Sequence, residues 1–221
     1  MKLGRRGVIA IASLAAMVCV GAGVWQIDRL GQRRARNALL AAKRALPPIE
    51  LRGQGIPADS ARERRIVARG VYDFARERIW PLRSFDATPG VALITPLRLA
   101  DGSAVLVDRG WVPSPDAFHL DRGMYREADT ATVEGLGFIL PRGRADPDPG
   151  ALRDSIPYPL LPFVLQQTGT SAPMGLPRRW PIPALDDGPH LSYIVQWFSF
   201  ALIIVLGTAA LLRKTTILAS S

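Results

Sequence analysis

The sequence predicts a membrane α+β protein, in which two transmembrane helices flank one extracytoplasmic domain built on a mostly antiparallel β-sheet or partial barrel. Three observations predict it. Residues 191–212 carry no charge over 22 positions, and at about 1.5 Å of rise per residue such a helix crosses a hydrocarbon core of about 30 Å. Residues 7–24, GVIAIASLAAMVCVGAGV, form a second uncharged run. Between them lie short β-branched and apolar runs broken by Gly, Pro and Asp, the pattern of short strands joined by tight turns. The organisation that follows is an N-terminal helix in residues 1–28, a β-rich domain with a basic juxtamembrane helix in 29–188, and a C-terminal helix with a short tail in 189–221.

The first apolar run follows Lys2, Arg5 and Arg6 and leads into Trp25, an interfacial anchor. It is longer than the core of roughly 7 to 15 residues usual in a signal peptide, which favours a retained helix. Cleavage after the small residues Gly21, Ala22 and Gly23 stays open as the alternative. Residues 31–46, GQRRARNALLAAKRAL, read as a basic amphipathic helix ended by Pro47-Pro48. Strands are expected over residues 65–72, 78–83, 91–99, 104–111 and 132–138. Asp101-Gly102 lies between the third and fourth of these and supplies the positive φ of a tight hairpin. Residues 141–157, rich in Pro, Asp and Arg, read as a loop, residues 160–167 as a short helix or turn, and residues 168–188 as a Pro-rich return to the membrane.

The second apolar run opens after Asp186 and Asp187 with His190, passes Tyr193 and Trp197 at headgroup depth, and closes on Arg213 and Lys214. Its cationic end matches Lys2, Arg5 and Arg6, which places both termini in the cytoplasm. Arg29, Arg33, Arg34, Arg36, Lys43 and Arg44 pull the other way, toward a cytoplasmic loop. That pull weakens for a long translocated domain, so the domain is assigned to the outer side.

Composition narrows the function classes. The net charge is +9, and lysine occurs only at 2, 43 and 214, so 25 of the 28 cationic residues are arginines. In a chain held at both ends in a bilayer this charge fits anionic lipid headgroups and acidic partners rather than nucleic acid. Cys19 is the sole cysteine, which excludes an internal disulfide and the paired-cysteine metal sites. With two isolated histidines and no Gly-rich phosphate loop, an enzyme is hard to assemble. A hydrolytic set of His119 with Ser84 or Ser114 and Asp86 or Asp116 stands as a minor alternative, since none lies in a nucleophile-elbow sequence.

His190 is the more informative histidine, because a neutral imidazole at a membrane boundary beside aromatics meets the needs of an axial haem ligand. On a helix starting there, Tyr193, Ile194 and Trp197 share its face, and Arg178 and Arg179 lie close enough in sequence to pair with propionates. The competing reading is a helix-capping or interfacial histidine with both arginines on lipid phosphates. Arg109-Gly110-Trp111 ends a strand, where Gly110 lets the backbone bend, Trp111 covers the sheet, and Arg109 pairs internally with Asp73 or Glu77.

Three passages, in order, resemble the surfeit-locus family of cytochrome c oxidase assembly factors. The first is Gly23-Val-Trp25-Gln26-Ile-Asp-Arg29. The second runs from Gly70-Val-Tyr72-Asp73 through Pro89-Gly90, Thr95-Pro96-Leu97 and Asp101-Gly102 to Val107-Asp108-Arg109-Gly110-Trp111-Val112-Pro113. The third is His190-Leu191-Ser-Tyr193 with Gln196-Trp197-Phe198. Gln32-Arg33 stands where the family often has an aromatic residue and lysine, and Pro189 where it commonly has Asn. The resemblance implies an assembly factor, not an enzyme, in the bacterial inner membrane, with lipid, the oxidase catalytic subunit and other assembly factors as partners. It also implies haem a as transient cargo, with His190 as the matching ligand position. The rival expectation is an interaction protein that stabilises an oxidase intermediate without haem.

Overall fold

The computed structural model describes residues 4–52, 56–139, 152, 155–169 and 175–219. The chain divides into two compact units, Met1–Ala41 with Leu185–Ser221, and Ala42–Ala184.

In the helical unit the long helices are α1 (Arg5–Ala45, continuing into the second unit) and the C-terminal helix of residues His190–Ala219. Both are long and apolar enough to cross a membrane. At 41 residues, α1 is about 60 Å long, twice a bilayer core, so the expected basic helix after Trp25 is the same rod continued without a break. The buried residues of α1 are Ala16, Cys19, Gly23, Gln26 and Leu30, spaced alternately three and four apart. That spacing is a coiled-coil seam. The partner helix turns Ala201 and the half-buried His190, Ile194, Trp197, Ile204 and Thr208 inward at similar spacing. Gln26 meets His190 while Gly23 meets Phe198, so the helices run antiparallel. Outside the seam, Leu14, Met17, Val18, Ile203 and Leu206 are each about 60% exposed, which suits lipid rather than water.

The second unit is a seven-stranded sheet. Its strands are β1 (Ile49–Leu51), β2 (Arg65–Tyr72), β3 (Arg78–Phe85), β4 (Thr88–Arg98), β5 (Ala104–Pro113), β6 (Thr130–Phe138) and β7 (Leu160–Gln167), with a one-turn α2 (Ala58–Ala61) before β2. The His190–Ala219 helix is therefore α3. The order is β1-β2-β6-β7-β5-β4-β3, and β2 also pairs with β4 at Val71–Arg98 and Tyr72–Leu97. That extra pairing joins β2, β6, β7, β5 and β4 in a closed circuit. Five of the seven pairings among the described residues are antiparallel; β1–β2 and β5–β7 are parallel. Ile66, Ala68, Leu97, Val105, Val107, Val133, Phe163 and Leu165 fill one core, and Ala92, Ile94, Leu106, Ile156 and Val164 a second.

The Asp101-Gly102 hairpin forms as expected: Gly102 has φ +85, and Asp101 Oδ1 accepts from the Ser103 amide at 3.0 Å and its hydroxyl at 2.7 Å. The five expected strands are present, some longer than expected. β3 and β4 extend into a two-residue turn, where Asp86 (φ +48) and Ala87 (φ +61) take the left-handed conformation without glycine. Residues 160–167 are a strand, not the expected short helix or turn. LLPFVLQQ is apolar on both faces because β7 is covered on both, so it lacks alternation. Pro162 lies in the stretch where the register against β5 shifts, between Ala104–Leu160 and Leu106–Val164, a place in a sheet that tolerates proline. Of the expected loop 141–157, residues 141–151, 153 and 154 lie outside the described residues.

Candidate functional site

His190 is the first residue of α3, and Pro189 ahead of it caps the first turn by its carbonyl, which accepts from the Tyr193 amide at 3.2 Å and the Ser192 hydroxyl at 2.7 Å. The Pro at this position therefore starts the helix at the imidazole itself. His190 Nδ1 lies 2.7 Å from Gln26 Oε1, across the helix pair and 164 positions away in sequence. Gln26 is 8% exposed, an amide in an otherwise apolar seam. Nε2 of His190 makes no hydrogen bond among the described residues, and the ring is half-buried.

The expected stripe divides. Ile194 and Trp197 turn toward the seam with His190, and Trp197 stands edge-on to Phe200 at 6.0 Å. Tyr193 is 44% exposed on the flank. Trp25 is also exposed and carries the Arg29 guanidinium 5.4 Å from its ring, while Arg29 donates to Gln32. Below this layer a Cβ on Gly23 would come within 2.9 Å of the Phe198 ring, so Gly23 sets how closely the helices approach. Above it, Arg33 and Asn37 hold Asp186, and Arg34 holds Asp187. These bonds keep the Asp186 carboxyl below the usual carboxylate range, through Arg33 first and the Gly188 amide next.

Tyr72, Asp73, Arg109, Gly110 and Trp111 belong to the sheet unit. Arg109 is fully buried: Nη1 donates to Glu77 at 2.5 Å, Nε to Glu127 at 2.8 Å, and Nη2 to the Tyr125 carbonyl. Thr95 gives Glu77 a second donor at 2.5 Å, and Tyr72 and Phe74 place their rings 5.6 and 5.0 Å from the guanidinium. Of the two expected partners of Arg109, the structure selects Glu77. Asp73 instead accepts from Tyr158 and Arg76, both at 2.8 Å, and their bonds outweigh desolvation to hold its carboxyl below the ordinary range.

Arg178 and Arg179 part company. Arg178 is half-exposed, stacked 4.1 Å from the Phe85 ring and 3.5 Å from Asp86. Arg179 is buried, donating to Glu127 and the Arg109 carbonyl, so its guanidinium completes the sheet's charge network rather than standing at the surface. Gly110 makes the junction with this segment. Its φ is +116, and a Cβ there would lie 2.3 Å from the Arg178 carbonyl oxygen. Next to it Trp111 exchanges both backbone hydrogen bonds with Arg178, at 2.7 and 2.8 Å. Asp108 finishes the clamp, accepting from the Gly110 amide and the Trp180 indole, both at 3.0 Å. Burial pushes its carboxyl up to about 6 against the lowering effect of those two donors.

Part of the hydrolytic alternative is brought together as well, though not in working order. Ser114 is buried, with Oγ 3.0 Å from Asp116 and 2.9 Å from the His119 carbonyl, while the exposed His119 ring rests on Asp116 at 2.5 Å. No imidazole nitrogen faces the hydroxyl. The amides of His119 and Phe118, ahead of the ring, hold Asp116 far below the ordinary range, so this is a self-bonded turn. Sequence reasoning missed Glu127, Thr95 and Trp180 as partners, and the pairing of Gln26 with His190. The signal for the last was an amide inside an apolar stripe.

The SURF1 family model matches residues 13–202, a span holding both Gln26 and His190. A SURF1-like protein of Monosiga brevicollis is 28% identical over 223 aligned positions, covering 90% of this chain and 85% of its own. Uncharacterized SURF1-like proteins of Mycobacterium bovis and Mycobacterium tuberculosis are each 25% identical over 206 positions, covering 83% of this chain and 73% of theirs.

Proposed function

The chain belongs to the SURF1 family, and from that membership we propose that it is a cytochrome c oxidase assembly factor that binds haem a through His190 and delivers it to the oxidase catalytic subunit. The observation that carries the haem reading is the state of His190: Nδ1 is engaged by Gln26, and Nε2 has no partner among the described residues at the end of an apolar helix. One free imidazole nitrogen is the donor that an iron already held by a macrocycle requires. Haem supplies the iron and the apolar ring. His190 supplies one axial nitrogen, Tyr193 an exposed aromatic flank, and the lipid-exposed helix surface an apolar surrounding. A single ligand fits cargo that must be released. The protein then lies in the bacterial inner membrane, with both termini cytoplasmic and the sheet unit outside.

Titration of the full-length protein in detergent with haem a tests this. Wild type is expected to develop a Soret band at one haem per chain, and His190→Ala to bind at least about tenfold more weakly. A wild type that takes up no haem overturns the reading. Undiminished capture of the oxidase catalytic subunit by such a protein would point to the rival role, stabilisation of an assembly intermediate.

A further inference from the structure

We propose that Gln26 is the positioning residue for His190: it fixes the imidazole in the tautomer protonated at Nδ1 and so leaves Nε2 as the lone-pair nitrogen. The inference rests on the haem reading above for its purpose, but its physical content is independent of haem. An amide oxygen only accepts hydrogen bonds. With Gln26 Oε1 at 2.7 Å from Nδ1, the contact is a hydrogen bond of the neutral imidazole only in the tautomer that carries its proton on Nδ1. One proton placed there leaves the other nitrogen unprotonated, which is the form that ligates a metal.

The setting makes the preference strong. Gln26 is 8% exposed between Gly23 and Leu30 on the seam, where an unbonded amide would be costly. The low dielectric of the helix pair strengthens the bond it makes. The arrangement parallels the outer-shell acceptors that orient metal-bound histidines and raise their basicity. Gln26 does not touch the cargo; it acts through His190. The seam also fixes the height of Gln26, because Gly23 one turn earlier lets Phe198 close against α1.

Nitrogen-15 NMR of the histidine-labelled full-length protein, recorded over a pH series so that the neutral ring is observed, reads the tautomer without haem. The expected wild-type spectrum shows a protonated Nδ1 and a bare Nε2. Gln26→Leu, which fills similar volume without an acceptor, shifts the ring toward the Nε2-protonated form, and Gln26→Glu restores the wild-type pattern. With haem a, Gln26→Leu weakens binding about 10- to 100-fold. Gln26→Glu retains it with a more negative iron reduction potential, because a carboxylate makes the ligand more basic. A protonated Nε2 in the wild type, or a Gln26→Leu protein with the wild-type tautomer, overturns the inference. Haem binding untouched by His190→Ala instead overturns the reading of His190 as ligand, whatever the tautomer.

Discussion

In the sheet unit all three guanidinium nitrogens of Arg109 are engaged, by Glu77, Glu127 and the Tyr125 carbonyl. In the helix pair His190 has one nitrogen engaged and one without a partner among the described residues. Both lie in passages that resemble the family, and the difference separates two uses of a polar residue. Closed bonding around a buried charge maintains shape. An open valence beside a half-buried ring is available to a guest. The Arg109-Gly110-Trp111 triplet is thus a clamp on the segment at Arg178, and the Gln26 and His190 pair is the candidate binding element.

Substitutions that hit one region should leave the other's readout intact. The largest effect is expected from Arg109→Ala, which leaves the buried Glu77 with the Thr95 hydroxyl in place of a cation and Glu127 with Arg179 alone, and costs about 3–5 kcal/mol in denaturant unfolding. Haem affinity per folded molecule should not change, and a parallel loss of affinity would break the separation drawn here. Asp108→Asn comes next, with the opposite sign. The fold raises this carboxyl from an ordinary value near 4 to about 6, so its stabilising contribution is complete below about pH 4 and lost as pH rises through about 6. Asparagine keeps an acceptor for Gly110 and Trp180 and escapes that loss. The variant should match wild type at pH 4 and exceed it by up to about 3 kcal/mol at pH 7, read as the difference between the two stability curves.

Gly110→Ala should cost about 1–3 kcal/mol from the positive φ alone. Collision with the Arg178 carbonyl should also free that segment, detected as faster tryptic cleavage after Arg178 and Arg179. His190→Ala is expected to cost only about 1 kcal/mol, the partner of one hydrogen bond, while weakening haem binding at least about tenfold. At the bottom of the scale, His119→Ala should change neither melting temperature nor haem binding, because its ring is 89% exposed. Loss of a hydrolytic activity in that variant would revive the alternative set aside above.

The fold was legible where a local rule operates. Charge-free runs set by bilayer thickness announced the two helices, and Asp101-Gly102 announced its hairpin through the one conformation that turn requires. A short β-branched run placed β2 at Arg65–Tyr72. The same reading missed β7, LLPFVLQQ, whose cover on both faces leaves it leucine-rich and without polar alternation. The Asp86-Ala87 turn was hidden because its left-handed residues are held by the strands they join rather than by glycine. At the site, His190 was visible from its rarity and its place beside an apolar run. Its partner was not, because pairing at 164 positions depends on which helix faces meet, and no local pattern encodes that. Arg179 looked like a surface cation for a similar reason: Glu127 reaches it only once the sheet has brought the two together.

The distance along the chain between Gln26 and His190 also bears on biosynthesis. Ribosomes add roughly 5–20 residues per second, so α1 waits on the order of ten to thirty seconds before its mate exists. Throughout that interval Gln26 has no His190 to hold, and the proposed binding pair does not yet exist. On the proposed function, loading through this pair waits for the finished chain, and a product truncated before the last helix lacks the paired imidazole.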